Sequence, residues 1–297
     1  MLKPHGVAVA GGRSDSAGVG GLIIEALKVS GSNLGTVTKV ELRAFPQGPL
    51  WGGITALVNF TSNLANNPHA MLVTIWQNSG QANASFAASS LQYKLGVKDA
   101  PIFSEFLAIP QTFSSLRVTD IYDLMMETAP PPGKRALFFT LTFRNEARVL
   151  ERLRYLQEEA ASTMTSSGVR SEDWDVVRFL QPFPSILGKT ISFHSWKGKQ
   201  VSRKWVLYLL FLSWGNEADD ILFHDIGYET IDKLKAYTRE ISADSDFIYM
   251  NYAGREQNPL RGYGEGNFGW INAMARKYDP IGVFQRQVPG GFKVSGA

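Results

Sequence analysis

The sequence predicts an α+β fold, an antiparallel or mixed sheet backed by helices, and three observations point there. Strand-like and helix-like stretches follow one another in irregular order, without the regular alternation of a parallel βαβ array. The run Trp205–Trp214, WVLYLLFLSW, is apolar on both faces and belongs inside a covered sheet. Behind Asn145, the residues Val149, Leu153 and Leu156 recur at helical spacing with charges opposite, as in a helix lying on a core.

Taken in order, residues 36–43 alternate, with Val40 and Leu42 on one face and Lys39, Glu41 and Arg43 on the other, which predicts a half-buried strand. Pro46 and Pro49 mark a linker and a domain boundary. Residues 54–64 read as helix and 70–76 as strand; after a polar, glycine-bearing connection, 102–109 read as strand. Leu116, Ile121, Leu124 and Met125 share a helical face within 113–126, and Pro130-Pro131-Pro132-Gly133 is a rigid break. Residues 135–143 read as strand, and Asn145 is the expected cap of the helix behind it. Further strands are predicted over 174–179, 191–196 and 205–214, then a helix over 216–241 with a soft centre at Gly227.

The last stretch, FIYMNYAGREQNPLRGYGEGNFGWINAMARKYDPIGVFQRQVPGGFK, reads strand, glycine turn, amphipathic helix, stop, tail. Residues 247–251 are dense in aromatic and β-branched side chains, which suits a buried strand. Gly262, Gly264 and Gly266 permit φ > 0 in a tight turn. Asn267 is a candidate N-cap, with Trp270, Ile271, Met274 and Tyr278 at helical spacing after it. Asp279-Pro280 ends the helix, because proline pushes its predecessor out of the α region.

Composition narrows the function. At 297 residues the chain can bury a sizeable core, and 44% hydrophobic with 19% charged residues is a globular balance. A net charge of +3 leaves no nucleic-acid footprint. With no cysteine there is no disulfide, thiolate nucleophile, thiolate metal site or cysteinyl-flavin bond. The four histidines, His5, His69, His194 and His224, have no metal-ligand spacing. MLKPHGVAVAGG contains no apolar h-region, and no apolar run reaches transmembrane length, so a cytoplasmic protein with a small-molecule substrate is expected, with no nucleic acid and no membrane.

An ordered string of motifs carries a family resemblance. Asn251-Tyr252 after a strand, Tyr263-Gly264-x-x-Asn267, Lys277-Tyr278-Asp279-Pro280-x-x-Val283-Phe284 and Val288-Pro289-Gly290-Gly291-Phe292 resemble the C-terminus of fungal FAD-linked oxidoreductases. These form the berberine-bridge-enzyme-like group, with a PCMH-type flavin domain as in vanillyl-alcohol oxidase. The resemblance implies a largely antiparallel sheet covered by helices as the substrate domain, with a remnant of the FAD-binding domain before it. The implied division is 1–46 (truncated flavin-domain remnant), 47–258 (substrate domain) and 259–297 (helix and tail returning towards the flavin). GYGEGN lacks the lysine and Ser/Thr of a P-loop.

The front of the chain departs from the family pattern. Gly11, Gly12, Gly18, Val19, Gly20 and Gly21 form a glycine-rich segment whose backbone can approach a pyrophosphate closely, or equally form a surface loop. GVAVAGGRSDSAGVGGL resembles the entry to the family's flavin-binding glycine loop, and ALKVSGSNLGTVTKVELRAFPQGPLWGG resembles the exit from the flavin domain. A substantial piece separates these two in full-length relatives, and the Gly-Gly-His motif that bonds flavin covalently has no match; Gly11-Gly12-Arg13-Ser14 has arginine in place of the histidine.

The resemblance places Tyr249, Asn251, Tyr263 and Asn267 near flavin and substrate. Each has a plain structural reading as well, Tyr249 in a core and Asn267 as a cap. His194, mid-strand in TISFHSW, is the candidate general acid or base, since its pKa lies near working pH. Tyr208 on the central strand is a candidate donor to a substrate carbonyl. Three functions stay open: an FAD-linked oxidoreductase acting on a small, largely apolar secondary metabolite; a flavin-independent isomerase or cyclase of pericyclase type using the same pocket; and an inactive truncated homologue.

Overall fold

The computed structural model describes residues 41–45, 50–81, 84–110, 113–119, 122, 133–183, 204–288 and 290–296. Seven strands form one sheet in the order β4-β1-β3-β2-β6-β7-β5. They are β1 (Glu41–Phe45), β2 (Ala70–Ser79), β3 (Ala84–Tyr93), β4 (Phe113–Ser114), β5 (Arg135–Arg144), β6 (Asp175–Phe183) and β7 (Trp205–Trp214). Every pairing is antiparallel. The predicted α+β fold is therefore the observed one, and the sheet is wholly antiparallel among the described strands.

Helices α1 (Leu50–Asn63), α3 (Ala147–Ser166) and α4 (Asp220–Glu240) supply most of the helical residues of the main core. Phe139, Tyr208, Leu210, Leu180 and Trp76 point to their side, and Leu57, Phe60, Leu153, Leu156, Phe223 and Leu234 meet them there. Gly227 does not soften α4; a Cβ at that position would lie 2.4 Å from Cε2 of the buried Phe139 ring. The glycine lets helix and sheet approach. Asn78, Gln157 and Ser85 form a hydrogen-bonded polar relay between sheet and α3.

Arg178 is wholly buried on this helix side, in register between Trp76 and Leu210. Its Nη2 donates to the Leu156 carbonyl at 3.1 Å, while Nε and Nη1 have no partner. Burial lowers the guanidinium pKa, opposed by the neighbouring Tyr208.

Several expectations are corrected. Residues 102–109 are helical, as a 3₁₀ turn at Pro101–Phe103 and then α2 (Ser104–Ala108). Phe103 and Phe106, three apart, both pack on Phe60 of α1, with ring centroids at 5.6 and 6.3 Å. The strand β3 was not expected, because ASFAASSLQY is rich in small residues of weak strand preference and gains its place from pairing with β2. Residues 113–119 are not helical: Phe113 and Ser114 pair with β1 and the next five have no regular structure. Asn145 does not cap α3, because its amide donates to Val58 O (2.9 Å) and Ser62 Oγ (3.2 Å) of α1.

Residues 247–251 are not a strand. After a single bridge between Phe143 and Asp244 the chain leaves the β5 edge, and Gln257 occupies it instead. The Gln257 side chain accepts from Thr140 N (2.9 Å) and donates to Thr140 O (2.7 Å), taking the place of a further strand. Of the three turn glycines only Gly264 has positive φ, +89°, and it precedes α6 (Glu265–Tyr278), which follows the short α5 (Pro259–Gly262). Asn267 is therefore inside α6, donating its amide to Tyr263 O at 2.8 Å, and is no N-cap. Trp270 and Tyr278 of α6 are 62% and 73% exposed, so the expected apolar stripe is not buried. Asp279 does end α6, and its carboxylate accepts from Val283 and Phe284 at the start of α7 (Val283–Arg286). No helix among the described residues is long and apolar enough to cross a membrane.

Candidate functional site

Period-two alternation gives the sheet a second face, opposite the helices. Ala88, Ile75, Phe179, Leu209 and Thr140 form one cross-strand row on it. Phe86, Gln77, Val177, Phe211 and Phe138 form the next. Ile75, Phe179 and Phe211 are half-buried, and Phe86 and Phe138 are exposed. This face is a broad, mostly apolar floor.

A third row, Thr142–Leu207–Gln181, introduces polarity at one end. Thr142 buries a hydroxyl that has no hydrogen-bond partner. Gln181 Nε2 donates to the Tyr252 hydroxyl at 3.1 Å. Tyr252 lies in a 3₁₀ turn, Met250–Tyr252, and its ring meets that of Tyr249 edge-on with centroids 4.9 Å apart. Asn251 Nδ2 donates to the Tyr249 hydroxyl at 2.8 Å. Trp205 and Phe247 are buried beside this group, with Phe183, Tyr249 and Tyr263 packed around them. The aromatic density of residues 247–252 thus builds a phenol cluster on the second face instead of a strand.

Tyr252 and Tyr263 stay neutral. Burial raises the Tyr252 pKa; the Gln181 hydrogen bond opposes this, and the Tyr249 phenol adds to it. Burial likewise raises Tyr263, against the Met250 backbone N–H and with Tyr249. At neutral pH these groups are therefore hydrogen-bonding phenols and not bases.

The structure brings Tyr249, Asn251 and Tyr263 together. Tyr208 is corrected: it is fully buried on the helix face, against Arg178, with no exposure to a substrate. Burial raises its pKa, and Arg178 opposes the rise. His194 and the glycine segment Gly11, Gly12, Gly18, Val19, Gly20 and Gly21 lie outside the described residues. Sequence reasoning passed over Tyr252 and Gln181. A glutamine inside the apolar strand sequence RFLQPF, and a second tyrosine beside Asn251, were the available signals.

The described candidates for cofactor contact are held within the protein. Asn267 is buried and donates to the Tyr263 carbonyl, Asn251 donates to Tyr249, and Tyr263 packs edge-on against Phe247 at 5.4 Å. A cleft of about 380 Å³ lies at the β5 edge against α4, lined by Thr142 of the third row and by Tyr228, Ile231, Lys235, Asp244 and Glu256 among others. Its mixed charges distinguish it from the apolar rows.

The described strands form an antiparallel sheet with helices on one face and an apolar, phenol-edged second face, and this fold recurs in solved oxidoreductases of the berberine-bridge type. The fold matches 6-hydroxy-D-nicotine oxidase from Arthrobacter nicotinovorans (TM-score 0.57, 14% identity, 84% of this chain and 53% of that one). It also matches berberine bridge enzyme from Eschscholzia californica (TM-score 0.54, 12% identity, 86% and 55%). In sequence, the chain is 34% identical to the FAD-dependent monooxygenase drtC of Aspergillus calidoustus, over 99% of this chain and 67% of that protein. It is 31% identical to the FAD-dependent monooxygenase sdcF of Emericella nidulans, over 93% and 61%, and 26% identical to the bifunctional solanapyrone synthase of Alternaria solani, over 91% and 53%. No protein-family model matches.

The chain belongs to the family of fungal FAD-dependent monooxygenases that includes drtC, and its fold is of the berberine-bridge-enzyme type. It spans between about half and two-thirds of the length of these relatives. The stretch aligned with drtC is 351 residues long, more than the 297 of this chain, so that relative carries residues within it that have no counterpart here.

Proposed function

We propose that the chain forms the substrate-facing part of an FAD-linked oxidoreductase acting on a small, largely apolar secondary metabolite in fungal biosynthesis. The observation that carries this reading is the apolar second face of the sheet, with the Tyr249–Tyr252 cluster at its end. FAD, when bound, supplies the two-electron oxidation. The chain's own residues bind and orient the substrate: Ile75, Phe179 and Phe211 hold its apolar body, and the phenols hold its polar end. Residues 47–258 are the proposed substrate domain and 259–297 the tail that returns towards the flavin, with the flavin-domain remnant in 1–46.

The test is binding of a naphthalene probe by tryptophan fluorescence, with the purified chain and the Phe179→Lys variant, and thermal melting of each with and without excess FAD. Saturable binding that Phe179→Lys abolishes, with folding intact by circular dichroism, supports the apolar site. Equal binding by the variant removes it. A melting temperature raised by FAD supports the cofactor assignment. Turnover of a polyene with no flavin and no oxygen uptake would replace oxidation with a cyclase reading on the same face.

A further inference from the structure

We propose that the cleft between α4 and the returning stretch 244–258 is a second binding site, built for a small zwitterion with an apolar body: an apolar amino acid or a dipeptide. It stands independently of the substrate reading of the open sheet face.

The cleft exists because the returning chain is pinned to β5 at two places and leaves it between them. Arg144 N donates to Ala243 O at 2.7 Å on one side, and the Gln257 side chain bonds Thr140 N and O at 2.9 and 2.7 Å on the other. Thr142 lies between these two edge positions and lines the cleft. It is 2% exposed, and its hydroxyl has no partner among the described residues. Buried hydroxyls are as a rule hydrogen-bonded, so this one points to a group supplied from outside. Asp246 and Ile248 line the cleft, whereas Phe247 and Tyr249 pack in the aromatic cluster, so the stretch is a wall between the two. The volume, about 380 Å³, is that of a small-molecule pocket.

The two sides of the cleft differ in charge. Lys235 and Arg239, one helical turn apart on α4, line one side, with Asp232 on the same helix. Asp244, Asp246 and Glu256 of the returning stretch line the other. None of these charged groups is in an ion pair among the described residues. Lys233 of the same helix does pair, with Glu159 at 2.6 Å and Glu229 at 2.8 Å. Lys235 and Arg239 instead face carboxylates across a gap that the two pins keep from closing. Much of the remaining surface is apolar, from Phe139, Leu141, Tyr228, Ile231 and Ile248. An ammonium group meets the carboxylates, a carboxylate meets Lys235 and Arg239, and apolar side chains cover the rest. A simple amine would leave the cations unmet, and a phosphate would be repelled by the carboxylates.

Isothermal titration calorimetry of the full chain tests the site, with L-leucyl-L-leucine, its N-acetyl form, its C-terminal amide, diglycine and L-leucine as ligands. Leucyl-leucine should bind saturably, and blocking either terminus or removing the side chains, as in diglycine, should weaken it about three- to tenfold. Lys235→Gln with Arg239→Gln should weaken the free dipeptide by a similar factor and abolish the difference between it and its amide. Asp244→Asn with Asp246→Asn should do the same for the N-acetyl form. All four side chains are exposed, so the circular dichroism of both double variants should match that of the native chain. Leucine binding as tightly as the dipeptide assigns the free amino acid, and weaker binding assigns the dipeptide. Binding that neither double variant alters lies elsewhere and overturns the proposal. Equal binding of free and blocked dipeptides, or binding of none of the ligands, overturns it as well.

Discussion

Replacing Arg178 with methionine should stabilise the protein. The guanidinium is wholly buried on the helix side of the sheet, and no carboxylate pairs with it among the ion pairs of the described residues. It makes one hydrogen bond, to the Leu156 carbonyl at 3.1 Å, and lies against the Tyr208 hydroxyl without a bond of normal geometry. Each donor left unmade in the interior costs about 1–3 kcal/mol, and burying the charge costs several more. Arg178→Met keeps most of the volume and removes both penalties, at the loss of one charged hydrogen bond of about 1.5–3 kcal/mol. The balance is a gain of about 1–3 kcal/mol. Arg178→Ala instead leaves a cavity beside Trp76 and Leu210, whose cost of about 2–5 kcal/mol for a large-to-small change offsets the gain. Urea unfolding of the three proteins, followed by circular dichroism, separates them by midpoint at constant slope. An Arg178→Met midpoint as low as that of Arg178→Ala would refute the reasoning, since the charge would then have a stabilising partner.

Three further outcomes follow from the packing. Gly227→Ala should lose about 1–3 kcal/mol despite the better helix preference of alanine, because its Cβ meets the buried Phe139 ring at 2.4 Å; thermal melting reads it. Gln257→Leu should lose about 1–3 kcal/mol in urea and increase self-association by light scattering, since it leaves Thr140 and Gly254 unpaired along the exposed edge of β5. Tyr252 and Tyr263 have pKa values raised by burial, so their contribution is complete below the ordinary tyrosine value of about 10 and is lost as pH climbs through the raised folded values. Alkaline unfolding should therefore steepen above that pH, and Tyr252→Phe should flatten it; an unchanged profile in the variant would show that the phenol ionises as freely folded as unfolded.

How far the fold was legible depended on whether a pattern was local. The run Trp205–Trp214 matched its strand at both ends, and Val149, Leu153 and Leu156 are the buried stripe of α3, because periods of 2 and 3.6 are written residue by residue. The stretch 247–251 has every mark of a strand by composition, yet the β5 edge it would have joined is taken by Ala243 and by the Gln257 side chain. In residues 102–109, the spacing of Phe103 and Phe106 was the helical clue, and it became decisive only against Phe60 of α1.

The site divides in the same way. Motif order alone pointed to the family and drew attention to Tyr249, Asn251 and Tyr263. The partnership of Gln181 with Tyr252 spans 71 positions, and the turn of Tyr208 into the core depends on which face of β7 meets the helices. Composition and periodicity determined an antiparallel or mixed sheet with helices on it, since each element's own side chains carry that information. Which face stays open, and which phenols meet, was decided only when strands distant in the chain came into register, because burial and hydrogen bonding are properties of neighbours and not of residues.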